Sequence, residues 1–186
     1  MKVYEVLADA AETAGRNDLA AALKTLTFDG GGAEDINLFL RCYNIVINEI
    51  AAEYFPLNTA ETFETADGKI YFKDFDKTPS DILKVYGENF EELPYELFTT
   101  YTETKAGKVN IKYNYIPEAS GFTDNFIYEN TKIQNRIVVF GTAAEYFLVK
   151  GMYNEAQIWQ NRYKDGLLSS LTPRKLKKMK ARIWGL

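Results

Sequence analysis

The 186-residue chain contains no histidine and one cysteine, Cys42. Without histidine, a zinc or non-haem iron centre would fall to carboxylates and a lone thiol, a poor match to the usual donors of those metals. Proton transfer near neutral pH also lacks its customary agent. Lysine, tyrosine or paired carboxylates remain as substitutes, so catalysis is disfavoured rather than excluded. A single cysteine forbids an intrachain disulfide, and its apolar surroundings in sequence mark it as a small buried hydrophobe. No apolar run reaches the roughly 18–20 residues that a spanning helix needs. The N-terminus also lacks the basic, apolar and small-residue succession of a signal peptide. The expectation is a protein made in the cytosol, with no membrane contact and no cofactor.

What is present is ordinary in bulk and unusual in arrangement. A composition of 46% hydrophobic and 26% charged residues is that of a soluble globular protein. A chain of this length buries about 70% of its unfolded surface, which suits one domain or a domain with an insertion. The charge is segregated. Of 22 basic and 26 acidic residues, six basic ones fall in Pro173–Leu186, PRKLKKMKARIWGL, which has no acid. Residues 1–172 therefore hold 16 basic (22 less six) against 26 acidic, a net of −10.

That terminal segment is the leading candidate binding element. Its charges are Arg174, Lys175, Lys177, Lys178, Lys180 and Arg182; its apolar anchors are Leu176, Met179, Ile183, Trp184 and Leu186. An acidic body with a cationic extension points to docking on another surface. Six charges suit counterion release on nucleic acid, an anionic membrane or an acidic protein. The interspersed anchors favour the protein. If Lys175–Trp184 is helical, Leu176, Met179 and Ile183 share a face, as a helix laid in a groove requires. The plainer reading is a solvated tail, and Trp184 counts against it.

The hydrophobic period changes twice along the chain, from helix to strand and back. Val3, Leu7, Ala10 and Ala14 keep helical spacing up to Gly15. A short helix follows from Asn17 or Asp18, buried through Leu19, Ala22, Leu23 and Leu26. After Gly30-Gly31-Gly32, a long helix is predicted over Asp35–Tyr54. Its stripe is Ile36, Leu40, Tyr43, Ile47, Ile50 and Tyr54, widened by Phe39, Cys42 and Val46, so it is the central column. Between Thr59 and Pro117 four or five antiparallel strands are predicted, as a small sheet or barrel. Thr62–Thr65 and Lys69–Phe72 flank Asp67-Gly68, a hairpin signal. A strand near Ile82–Val85 follows the turn Asp76-Lys77-Thr78-Pro79. Val109, Ile111, Tyr113 and Tyr115 alternate with Asn110, Lys112 and Asn114; Tyr95–Glu103 is the expected partner, joined through Thr104–Gly107. Ile133, Ile137, Phe140, Ala144 and Phe147 then form a helical stripe, broken by Gly151. Met152, Ala156, Trp159, Tyr163 and Leu167 form another, giving an antiparallel hairpin. Thr172-Pro173 stops the last helix. The expected fold is α+β: a helical bundle from residues 1–56 and 127–172, a β insertion at 57–126 between the central helix and the C-terminal hairpin, and the basic tail at 173–186.

Three other features have the residue types of sites. The triple glycine lacks the lysine and hydroxyl residue of a phosphate loop, and Glu34 and Asp35 put negative charge where a phosphate would sit; a flexible connection is the better reading. Glu88, Glu91, Glu92 and Glu96, with Asp74 and Asp76, offer the carboxylates of a hydrolase, or a calcium loop with most ligands missing. They fall in turn sequence, which solvated carboxylates explain. Tyr71, Tyr101, Tyr113 and Tyr115 with Lys69 and Lys112 offer a stacking platform for single-stranded nucleic acid; their alternation with apolar residues makes core the better reading.

Element order and texture resemble the head–tail adaptor (connector) proteins of tailed bacteriophages. The likeness rests on the small N-terminal helices, on LFLRCYNIVINEIAAEYFPL, on the segment from ETFETADGKIYF to VNIKYNYIP, and on VVFGTAAEYFLVKGMYNEAQIWQNRYKDGL with its basic tail. The resemblance implies a non-enzymatic virion protein of the neck, made in the host cytoplasm and forming a ring, commonly of twelve copies. Its partners would be itself, the portal, and the tail or a second neck protein, with DNA passing through unbound by sequence. Arg174 to Leu186 would dock on the portal. The alternatives are a stopper or tail-completion protein lower in the neck, and a nucleic-acid-binding module using the tail.

Overall fold

A computed structural model describes residues 1–27 and 32–171. The chain is α+β, with five α-helices and two antiparallel sheets, and no closed barrel among the described residues. α1 (Val3–Thr13) buries Val3, Val6, Leu7 and Ala10, spaced for one face. Its start is closed by the Lys2 N–H donating to Glu5 Oε2 at 2.6 Å, a capping interaction that satisfies an orphan donor. α2 (Asn17–Thr25) buries Leu19, Ala20 and Leu23. Here the expected stripe is corrected at its end. Leu26 adopts a left-handed φ of 53° as the C-cap, which turns its side chain out to solvent instead of into the core.

α3 (Ala33–Glu49) is the central column and packs against α1, α2 and α4. Ile36, Phe39, Cys42, Tyr43, Val46 and Ile47 are buried, more than a single stripe holds. The helical run continues to Tyr54 as its sequence pattern predicts, but Ile50–Tyr54 is a widened π turn. α4 (Asn135–Val149) and α5 (Tyr153–Leu171) form the hairpin. Gly151, at φ 74°, makes the reversal in a conformation that other residues resist. A Cβ on Gly141 would lie 2.9 Å from Val46 Cγ1 and 3.0 Å from the Tyr163 ring, so its absence lets α3, α4 and α5 close together.

Seven strands follow α3: β1 (Leu57–Thr65), β2 (Lys69–Tyr71), β3 (Pro79–Tyr86), β4 (Glu92–Leu93), β5 (Glu96–Leu97), β6 (Tyr101–Glu103) and β7 (Gly107–Tyr115). They make one sheet of order β1-β7-β3-β4 and another of order β2-β6-β5. Val109, Ile111 and Tyr113 face the core, as alternation predicts. The expected partner of β7 is corrected. It pairs with β1 (Leu57 opposite Tyr115) and β3 (Val85 opposite Ile111), while Tyr101–Glu103 pairs with β2 and β5. Asp67-Gly68 does make a turn, yet the strands on its two sides enter different sheets. Turn chemistry is local, whereas the ladder partner is set by which apolar faces bury one another. Here Phe63, Phe75, Ile82, Val85, Ile111 and Tyr113 close one cluster.

The β core and the helical core are separate clusters. The chain leaves the helices at Phe55, whose carbonyl accepts from the Tyr128 hydroxyl at 3.0 Å. It returns by Ser120, ahead of the expected boundary at 126. Ser120 exchanges hydrogen bonds with the Asn44 amide at 3.1 and 2.8 Å. Beyond it, the N–H groups of Val3 and Tyr4 donate to Asp124 and Phe122, and Phe126 enters the helical core.

Candidate functional site

The tail residues singled out in the sequence, Arg174 to Leu186, lie outside the described residues, as do Gly30 and Gly31. The chain approaches the tail through α5, whose final residue Leu171 is exposed. What the fold does place is a set of surfaces on the helical body and the β module.

The first is the α4–α5 turn. Leu148, Val149, Met152 and Tyr153 fall within six residues of sequence and are all exposed, Tyr153 at 70%. Exposed apolar side chains grouped in this way are candidates for covering by another surface. A charge clamp fixes the neighbouring end of α4. Asp35 accepts from Lys150 Nζ at 2.5 Å and from Arg16 Nη1 at 2.6 Å. Arg16 also donates to Asp18 at 3.0 and 2.8 Å and to the Tyr146 hydroxyl at 3.0 Å. Lys150 and then Arg16 hold the Asp35 carboxyl below its usual pKa, and Arg16 holds that of Asp18 at about 2. Asp35 is thus committed to two cations and locks the start of α3 to the end of α4.

The second surface is a groove of about 540 Å³ between α1, α4 and α5, with Asp9 and Glu12 on one wall and Asn135, Arg136, Phe140, Trp159 and Arg162 on the other. The Phe140 and Trp159 rings lie 5.2 Å apart. The Arg136 guanidinium stacks 5.0 Å from the Phe140 centroid, and that of Arg162 4.6 Å from Trp159. Burial and the neighbouring Glu12 raise the pKa of Asp9, and Lys24 pairs with Glu12 at 2.5 Å. Sequence reading placed Phe140 and Trp159 in the core. Both are only half-buried, because α5 covers α4 on one side alone.

The third surface belongs to the β module, where the candidate stacking platform is split. Tyr113 is fully buried and donates from its hydroxyl to Glu61. Tyr115 packs at the rim with Lys77 Nζ 4.1 Å from its centroid. Tyr71 and Tyr101 instead stand on the small sheet with Phe98, which stacks on Tyr101 at 4.6 Å; Lys69 and Lys73 lie over the tyrosine rings. Phe98 escaped the sequence reading because nothing in its spacing places it beside Tyr101.

The carboxylates Asp74, Asp76, Glu88, Glu91, Glu92 and Glu96 are all exposed. Glu92 pairs with Lys84 at 2.9 Å and Glu91 accepts from the Asn89 N–H at 3.0 Å. Among the described residues no group of three histidine, cysteine or acidic side chains is placed to hold a metal.

One acidic pair was missed. Tyr163 donates to Glu49 Oε2 at 3.2 Å, and Glu145 lies close enough to Glu49 for the two charges to interact. Burial and then Glu49 raise the Glu145 pKa, and burial with Glu145 pushes the Cys42 thiol up to about 12. A thiol in that state is protonated and inert as a nucleophile. The signal was present, since Glu145 interrupts an otherwise apolar run. Neither glutamate lines the groove between α1, α4 and α5. Among the described residues no helix is long and apolar enough to cross a membrane. No protein-family model and no curated protein matches the chain.

Proposed function

We propose that the chain is a head–tail adaptor of a tailed bacteriophage, a structural virion protein whose copies form a ring between the portal and the tail or next neck protein. On this reading the helical body builds the ring, the β module projects from it, and Arg174 to Leu186 dock on the portal. The observation that carries the reading is the exposed apolar turn of the α4–α5 hairpin, Leu148, Val149, Met152 and Tyr153, on a body that also keeps two separate cores. Those side chains gain by leaving water, and a neighbouring protein surface is what covers them.

Charge supports the same reading. A net of −10 over residues 1–172 against a cationic extension supplies the complementarity and steering an assembly needs. A ring closes through heterologous contacts, so each copy offers two different faces. An acidic body also suits a ring through which DNA slides without being gripped.

Truncation before Pro173 tests the docking role. The shortened protein keeps its helical circular dichroism and melting temperature but no longer co-sediments with portal particles. Retained co-sedimentation removes the tail from the portal contact.

A further inference from the structure

One turn of the β module presents a feature that the core does not explain. In Gly87-Glu88-Asn89-Phe90-Glu91, Phe90 is 85% exposed and sits at φ 61°. A bulky residue seldom adopts that left-handed conformation, and such outliers gather where a chain meets a ligand or partner. The turn is held shut by Gly87 N–H donating to Glu91 O at 2.9 Å and Phe90 N–H donating to Gly87 O at 3.1 Å. The phenyl ring is therefore a preorganised knob, not a loose tip. Beside it stands the exposed carboxylate of Glu88, which has no ion-pair partner among the described residues, whereas Glu92 is occupied by Lys84.

The groove between α1, α4 and α5 is its complement. Its floor holds the Phe140 and Trp159 rings, and its rim holds the guanidiniums of Arg136 and Arg162. Neither guanidinium has an ion-pair or side-chain hydrogen-bond partner among the described residues, so their donor forks are open. Aromatic and arginine side chains in a concave patch are the composition of a binding hot spot. On the opposite wall Lys24 pairs with Glu12, which leaves Asp9 as the one carboxylate there without an ion-pair partner among the described residues.

We propose that the Phe90 turn of one copy docks in the α1/α4/α5 groove of a second copy, with the phenyl ring on Phe140 and Trp159 and Glu88 on the arginine pair. The occupant is a second copy because this chain carries both halves of the match: an apolar ring beside a free carboxylate, and an aromatic floor beside two free guanidiniums. Knob and groove lie on different elements of one chain, so the contact is heterologous and repeats head to tail, the geometry a closed ring uses. The inference rests on the adaptor reading and assigns the subunit contact within it.

The test uses the full-length chain and its assembly measured by sedimentation and native mass spectrometry. Phe90→Glu and Arg162→Glu are each expected to weaken self-association at least about tenfold without changing the melting temperature, since both positions are exposed. Glu88→Arg alone weakens it too, and combining Glu88→Arg with Arg162→Glu or Arg136→Glu restores it. Single variants that assemble like the wild type, or swaps that recover nothing, overturn the contact while leaving the ring reading intact. Rings that persist in Phe90→Glu while portal binding is lost reassign the knob to the portal and also overturn it. A wild-type chain that stays monomeric, alone and on portal particles, removes the ring reading itself.

Discussion

The helical body and the β module are built on different terms. In the helices, large side chains of α3, α4 and α5 meet: Phe39 stacks on Tyr146 at 4.1 Å, and Tyr43 and Tyr163 are fully buried. The β module closes over a smaller cluster of Ile70, Phe75, Ile82, Val85, Val109, Ile111 and Tyr113. Its second sheet consists of strands only two or three residues long, and Phe90, Leu97 and Phe98 are left in water. The contrast teaches that the chain invests its burial unequally in two separate cores. A body that seals its core can hold a ring together, and a module with a thin core can carry side chains meant for other chains.

If that contrast is sound, the two regions fail separately. Phe39→Ala is expected to be the most damaging change, costing about 3–5 kcal/mol by opening a cavity beside Tyr146. Melting followed by helical circular dichroism checks it; a loss under 1 kcal/mol, far below that range, would falsify the stacked core. Ile111→Ala comes next, at about 2–4 kcal/mol, and its effect should stay local. Hydrogen exchange should rise across β1, β3 and β7 and remain unchanged in α3 and α4. Equal loss of protection in both regions would show one cooperative unit instead of two.

The smallest effect is electrostatic and belongs to the body alone. The folded pKa of Asp35 is depressed, so its contribution is present above the unfolded carboxylate range near about 4 and lost as pH falls through the lower folded value. Asp35→Asn should cost at most about 1 kcal/mol at pH 7, because both cations are partly in solvent and screened. The gap between variant and wild type should close as pH falls through the lowered folded pKa. Denaturant titrations at several pH values measure it, and a gap that widens in acid contradicts the sign.

The same two regions were unequally legible in the sequence. The helical body could be read because its signals are local. Gly151 breaks one apolar stripe and begins another, and Ile36 to Tyr54 keeps a helical period. The π turn at Ile50–Tyr54 and the outward Leu26 could not, since backbone strain leaves period and composition unchanged. In the β module, the inward face of β7 was legible from alternation, but its partners were not. Tyr95–Glu103 looks as suitable beside β7 as Leu57–Thr65 does, and only the burial of Phe63 against Phe75, which in turn packs on Tyr113, decides between them. Of the candidate surfaces, the charged tail was conspicuous in sequence. The Arg136, Arg162 and Trp159 groove was not, because its other wall comes from α1, far in sequence from the α4–α5 hairpin.

The most direct test of the central claim is the mass of the full-length chain, measured alone and after mixing with portal particles, followed by imaging of the complex. The account predicts a closed ring of many copies seated on the portal, with Arg174 to Leu186 entering the portal surface. A monomer that ignores the portal under both conditions contradicts it.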